Sequence, residues 1–425
     1  MRILVITLNA WNLTNSTGNT ITNLFSQLDD NDSVANIYCR DEVIDNTICK
    51  QYFRITENDI LRNVISPDKC GNLVTHNKNE QESVINNRLN SSQGNRFYKH
   101  RSICLLLIRE LIWGIHTWKN RKLEQFVKGF NPDIIYMHGH YNLYMHKLLS
   151  YCQKLTGAKV AMYWGDDMYG RKSKAPLHFF YESLLRNRFK KSIELSSLLF
   201  GGSLQLCKEY TQLFGKNFIP FFKECKRIRF EEKDFTEDTI SIVYAGNLLF
   251  GREDIMVQFV KALDHVNKRN LTHHFLLKVY SNTSPAPKSL LYLDDKKNSL
   301  FMGPKPYSQV CEEMDKSELA LFIESFDNKS ILSTRLSFST KIIDCMQSTA
   351  GILAIGPKEL ASIDYILKNN IGYTITSIDE METKMSFLSD HPEEINEMNK
   401  KKIEFATIYH TNTSARALAE IRRLI

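Results

Sequence analysis

The sequence has no CxxC pair, no G-x-G-x-x-G fingerprint, and no apolar run reaching the ~18 residues that a membrane-spanning helix needs. The first absence argues against a zinc site, the second against a dinucleotide-dependent dehydrogenase, and the third against a spanning segment. The N-terminus shows no basic region followed by a signal-type hydrophobic stretch; residues 2–8 (RILVITL) are too short for one and read as a buried strand. The nine cysteines are odd in number and scattered, which points to a reducing cytoplasm rather than a disulfide framework. Hydrophobic residues make up 43% and charged residues 24% of the chain, which leaves no room for a disordered, collagenous or coiled-coil class.

At 425 residues the chain exceeds what one compact core normally uses, so two domains are expected. The net charge of +7 is unevenly placed. Residues 1–222 carry 28 Lys+Arg against 19 Asp+Glu, whereas 223–425 carry 27 against 29. The basic first half points to an anionic partner, although a biased solvated surface gives the same count. No helix-turn-helix, RNA-recognition motif or zinc finger is apparent, so nucleic acid is not the expected partner.

Short apolar runs alternate with stretches of helical spacing. Strands are predicted at 2–8, 34–38, 133–137, 159–164 and 197–200, with a helix over 20–28 where Ile21, Leu24, Phe25 and Leu28 share a face. The pattern restarts with strands at 241–245, 274–280, 319–323 and 351–355, and helices near 254–268 and from about 340. Continuous apolar strands alternating with helices mean parallel sheets covered on both faces, hence an α/β chain of two Rossmann-like domains. The expected limits are 1–222, a charged linker at 223–239, a second domain at 240–400, and a C-terminal helical segment at 401–425 that crosses back to the first domain. Residues 76–95 hold six Asn and little to bury, and read as a long loop. Residues 97–128 combine Ile103 to Ile108, Leu111, Ile112, Trp113 and Trp118 with basic residues at both ends. Such a segment suits the interface of an anionic membrane, or simply covers the sheet before the strand at 133.

Several residues fall where open α/β sheets place ligands, at the C-terminal ends of strands. Gly18, before the first helix, would let backbone amides approach an anion. His138 and His140 follow the strand at 133, and Asp166 and Asp167 follow the strand at 159. Carboxylates there could orient an acceptor hydroxyl and histidines could move its proton, or the same aspartates could cap the next helix. In the second half Gly246 and Arg252 follow the strand at 241, and Arg suits bidentate phosphate binding. Ser339, Thr340, Lys341 and Asp344 open a helix with Lys and Asp on one face. That start can hold a diphosphate and Asp344 a ribose, or it is an N-cap beside a surface ion pair.

Together these elements resemble the GT-B glycosyltransferases, especially the family 4 type of bacterial surface-polysaccharide synthesis. The likeness is carried by MRILVIT, NPDIIYMHGH, GAKVAMYWGDD, SLLFGGS, IVYAGNLLFGRED and above all SFSTKIIDCMQSTAGILAIGP followed by ASIDYI. It implies a GT-B fold, with two Rossmann-like domains facing across a cleft, and a glycosyltransferase (hexosyltransferase) activity. It further implies a nucleotide-diphosphate sugar as co-substrate, no cofactor or metal, and retention of anomeric configuration. By position Arg252 and Lys341 would contact the diphosphate, Asp344 the ribose and the Gly18 loop the phosphate side of the cleft. Gly246, Ser339 and Thr340 complete the donor set, and Asp166, Asp167 and His138 serve the acceptor. The chain departs from the family where Asn247 replaces the usual Arg and Ser337 replaces the first of two glutamates. The acceptor is expected to be a glycan or polyprenyl-phosphate-linked sugar, met in the cytoplasm or at the inner membrane face. A catalytically idle GT-B scaffold and a GT-B sugar-nucleotide epimerase are the alternatives.

Overall fold

The computed structural model describes residues 1–13, 16–40, 42, 44–65, 70–74, 103–170, 176–269 and 272–425. The Asn-rich stretch 76–95 and the first residues of 97–128 lie outside that set. The chain divides into two compact units, one of Met1–Gly202, Cys207–Phe221 and Ser414–Ile425, the other of Ser203–Leu206 and Phe222–Thr413. The charged stretch 223–239 thus belongs to the second unit.

The first unit contains strands β1 (Arg2–Thr7), β2 (Ser33–Tyr38), β3 (Gln51–Arg54), β4 (Asn72–Val74), β5 (Ile134–His138), β6 (Lys159–Trp164), β7 (Leu198–Gly201) and β8 (Phe218–Pro220). They form one sheet in the order β4-β3-β2-β1-β5-β6-β7-β8, parallel except for β4. Register is set by β1, whose Ile3 lies opposite Val34 on one side and Ile134 on the other. Chain order reverses at β1, between β2 and β5, so the ends of these strands form the sheet's switch point. The strands expected in this half are all present, and β3, β4 and β8, too short or too polar to stand out, complete the edges. Helix Thr413–Arg422 packs Ala417, Leu418 and Ile421 into the same core as Ile21, Leu24 and Phe25, and Ser414 Oγ donates to the Asn23 carbonyl at 2.6 Å.

Two expectations need correction here. The first helix spans Ser16–Leu24, not 20–28, so Gly18 is inside it rather than in a loop. A Cβ on Gly18 would lie 1.8 Å from the Asn12 carbonyl oxygen, so the glycine serves close backbone packing. The segment 97–128 is not one amphipathic helix. Helix Ile103–Gly114 ends before a turn in which His116 has φ 63°, and helix Arg121–Phe130 starts afresh with Asn120 Oδ1 accepting from Leu123 N. Trp113 and Trp118 are both fully buried, and Trp113 stacks on Tyr144 with centroids 4.2 Å apart, so the tryptophans are core residues.

The second unit contains β9 (Thr239–Ala245), β10 (His274–Tyr280), β11 (Ser299–Gly303), β12 (Leu319–Ile323), β13 (Gly351–Ile355) and β14 (Tyr373–Ile375), all parallel, in the order β11-β10-β9-β12-β13-β14. Side chains alternate between two cores. Ile240, Ile242, Tyr244, Leu319, Leu321 and Ile323 enter one, while Val243, Ala320, Phe322, Ile352 and Ala354 enter the other. Burial on both faces is why these strands read as unbroken apolar runs. The switch point falls between β9 and β12.

Candidate functional sites in the two units

In the second unit, the C-terminal ends of β9 and β12 and the start of helix Thr340–Gln347 meet around one lysine. β9 ends at Ala245, and Gly246 follows with its Cα against Lys341: a Cβ there would lie 2.0 Å from Nζ. Lys341 Nζ lies 3.4 Å from the Tyr244 hydroxyl and 5.2 Å from the centre of that ring. The hydroxyl itself donates to the Asn247 carbonyl at 2.6 Å, which fixes the turn after β9. Among the described residues no carboxylate pairs with Lys341. Burial pushes its ammonium down to about 8, and the neighbouring Arg252 charge adds to that. Ser339 occupies the N-cap position without a side-chain cap bond, and Thr340 is exposed at the first helical residue. The first helical turn therefore points uncapped backbone N–H groups the way a helix dipole favours negative charge.

Arg252, expected to touch a diphosphate directly, has other partners. It opens helix Arg252–Asn267, where its Nη2 donates to both oxygens of Glu324 at 2.8 and 2.9 Å, Nη1 to Asn247 Oδ1 at 3.0 Å, and Nε to the Ile323 carbonyl at 3.2 Å. Both side chains of this bidentate pair are buried, 10% and 6% exposed. Glu324 escaped the sequence reading, although a glutamate directly after the apolar run LALFI is the available signal. Asp344, one turn after Lys341, accepts from the Tyr307 hydroxyl at 2.8 Å and from Lys223 Nζ at 3.4 Å. Ser339, Thr340, Lys341 and Asp344 thus share one short helix, and Gly246, Lys341 and Arg252 surround Tyr244 and Asn247.

In the first unit, a pocket of about 200 Å³ opens at the ends of β1 and β5. Its wall includes Asn9, Thr17, Gly18, Arg40, His138 and His140. His138 lies between Tyr136 and Tyr163, with ring centres at 5.6 and 4.8 Å, and burial pushes its pKa down to about 3, so the ring is neutral. His140 Nδ1 accepts from the Asn142 backbone N–H at 3.2 Å, and its carbonyl meets His146 Nε2 at 2.8 Å. His146, held neutral by burial at a pKa of about 4 and bonded by Nδ1 to Ser192 Oγ at 2.8 Å, fixes the loop after β5. Arg40 and His146 were missed in the sequence; Arg40 sits just past β2, where the same strand-end rule applies.

The two aspartates lie elsewhere. Asp167 Oδ1 accepts from Gly170 N at 2.8 Å and from the Tyr210 hydroxyl at 3.0 Å, a turn-stabilising arrangement, and Asp166 is exposed. Neither lines the pocket with the histidines. Among the described residues no group of three or more His, Cys, Asp or Glu is placed to hold a metal ion.

No protein-family model matches the sequence, and no curated protein matches it. Solved structures do match in fold. HepE (Alr3699) of Anabaena, in complex with UDP and glucose, aligns over 100% of both chains with a TM-score of 0.61 at 10% identity. Sucrose-phosphate synthase of Thermosynechococcus elongatus aligns over 100% of this chain and 99% of its own with a TM-score of 0.62 at 10% identity. An α,α-trehalose-phosphate synthase (UDP-forming) of Burkholderia xenovorans, in complex with glucose-6-phosphate, aligns over 100% of both chains at 0.55 and 7% identity. The chain therefore has the GT-B fold, built of two Rossmann-like units.

Proposed function

We propose that the protein is a glycosyltransferase that moves a sugar from a nucleotide diphosphate to an acceptor, with the donor held by the second unit and the acceptor by the first. The observation that carries this reading is Lys341: a half-buried cation with no carboxylate partner among the described residues, seated on a glycine at the switch point of a parallel sheet and at an uncapped helix start. An anion is the ligand that such a site stabilises most. The leaving diphosphate gains negative charge as the C1–O bond breaks, and Lys341 with the amides of residues 340 and 341 is preorganised to take it up. Arg252 acts at one remove, because its guanidinium is committed to Glu324 and Asn247. Asp344, oriented by Tyr307 and Lys223, accepts hydrogen bonds from the ribose hydroxyls. UDP complexes among fold neighbours support a uridine donor for this chain as well.

Retention belongs to the same proposal. The acceptor oxygen attacks C1 on the face the phosphate leaves, the C1–O electron pair passes to the phosphate, and a phosphate oxygen takes the acceptor proton. The pathway proposed is surface polysaccharide synthesis on a glycan or polyprenyl-phosphate-linked acceptor. A membrane-side acceptor is supported by two helices of the basic first unit that touch through Tyr181 and Glu110: Ile103–Gly114 exposes Leu105, Ile108 and Leu111, and Pro176–Leu195 exposes Leu177, Phe179, Phe180 and Leu184. No helix among the described residues is long and apolar enough to cross a membrane.

One observation favours a second reading, a GT-B scaffold without turnover: the sole arginine of the donor loop is neutralised by Glu324. Assays of the full chain with UDP-, GDP-, dTDP- and ADP-sugars separate the two. Release of the nucleoside diphosphate dependent on a sugar acceptor supports the transferase. Binding without release under every acceptor supports the scaffold.

A further inference from the structure

The pocket of the first unit is a second place where positive charge faces no carboxylate. Its polar wall includes Thr7, Asn9, Thr17, Arg40, His138 and His140, and among the described residues neither Asp nor Glu lines it. Arg40 Nη1 donates to Asn9 Oδ1 at 3.1 Å, a neutral acceptor, and among the described residues the guanidinium has no ion-pair partner. The rest of its planar fork is left for a ligand. His140 Nδ1 accepts from Asn142 N, which holds this ring at the pocket wall. His138 Nε2 is buried with no hydrogen-bond partner among the described residues.

A neutral sugar presents many hydroxyl donors, and sites for it need acceptors, most effectively carboxylates. Among the described residues this wall has no carboxylate, and its charged side chain is a cation. About 200 Å³ accommodates a phosphate or carboxylate together with part of a sugar ring. We propose that this pocket binds an oxyanion carried by the acceptor, a phosphate monoester or a uronate carboxylate, with Arg40 as the residue that selects it. Naming the oxyanion's carrier as the acceptor rests on the transferase reading; the anion site itself does not.

The test is calorimetric titration of the full chain, saturated with UDP, against a hexose 6-phosphate, a hexuronate and the neutral hexose. The phosphate or the uronate should bind at least about tenfold more tightly than the neutral sugar, the scale of one charge-assisted contact. Arg40→Gln should abolish that preference, and Arg40→Lys, which keeps charge but not the fork, should retain part of it. Thermal melting of each variant establishes that it is folded; should Arg40→Gln melt early, the Arg40→Lys comparison decides. Equal affinity for charged and neutral sugars would overturn the proposal. So would an anion that binds only without UDP, since the site would then belong to the nucleotide. Failure of UDP to bind, with anion selectivity intact, would instead count against the donor site.

Discussion

The ammonium of Lys341 rests directly on Gly246, so close that a Cβ on the glycine would lie 2.0 Å from Nζ. Two positions 95 residues apart in the chain are therefore matched: the glycine follows β9 and the lysine lies in the first turn of helix Thr340–Gln347. The first prediction follows from that contact. Gly246→Ala displaces the Lys341 head group and strains the backbone at φ 159°, so nucleoside diphosphate affinity should fall about tenfold and the melting temperature should drop as well. Calorimetry on the folded variant checks it, and unchanged affinity would mean that the lysine does not face the ligand.

The depressed pKa of Lys341 gives a pH dependence with a definite sign. In the free protein the group titrates near 8, lowered by burial first and by Arg252 second. A bound diphosphate favours the charged form and raises that value. Binding then takes up a proton between about pH 8 and the bound-state pKa, and affinity is full below 8 and declines above it. For the unliganded fold the sign is opposite: the half-buried ammonium costs stability below pH 8, and this cost is relieved as pH rises toward the ordinary lysine value. Titrations from pH 7 to 9.5 should show the decline in wild type and a flat profile in Lys341→Met.

Arg252 and Glu324 predict a stability effect. Removing the acid leaves a guanidinium buried opposite only Asn247 and a carbonyl, so Glu324→Ala should cost about 3 kcal/mol, or roughly 6–12 °C in melting of the second unit. The double change Arg252→Met/Glu324→Leu should recover most of it. A Glu324→Ala protein as stable as wild type would show that the pair carries little.

The exposed aliphatic stripe yields a fourth expectation. Leu111, 72% exposed, and Ile115, 45% exposed, lie one turn apart on the outer side of a segment whose Trp113 is fully buried. Leu111→Ser/Ile115→Ser should weaken sedimentation with phosphatidylglycerol-containing vesicles several-fold and leave nucleotide binding intact. Equal sedimentation of both proteins would remove this surface from any membrane contact.

Much of the fold was legible because the central strands of both sheets are parallel and buried on two faces, so strands such as LALFI and GILAI stand out as apolar runs. Short edge strands such as QYFR and NLV carry no such signal. Strand ends pointed to Gly246 and Lys341, which the fold brings into contact, but no local pattern distinguishes an arginine free for phosphate from one committed to Glu324, whose pairing spans 72 residues. The same holds for Asp167, whose carboxylate serves a turn and Tyr210 rather than the histidine pocket. Tryptophans 113 and 118 look interfacial in sequence because their partners, Tyr144 and Tyr151, are distant along the chain.

If Lys341 holds the diphosphate of a nucleotide donor, nucleotides should stabilise the folded protein through that side chain. The most direct measurement is the thermal shift of the full chain with UDP, GDP, dTDP, CMP and ADP, with and without EDTA, repeated on Lys341→Ala. At a hundredfold excess over Kd a ligand adds about 2.7 kcal/mol to the native state. The expected result is a shift with one diphosphate that persists in EDTA and largely disappears in Lys341→Ala. A wild-type protein that no nucleotide stabilises, or a shift that survives intact without the lysine, would contradict it.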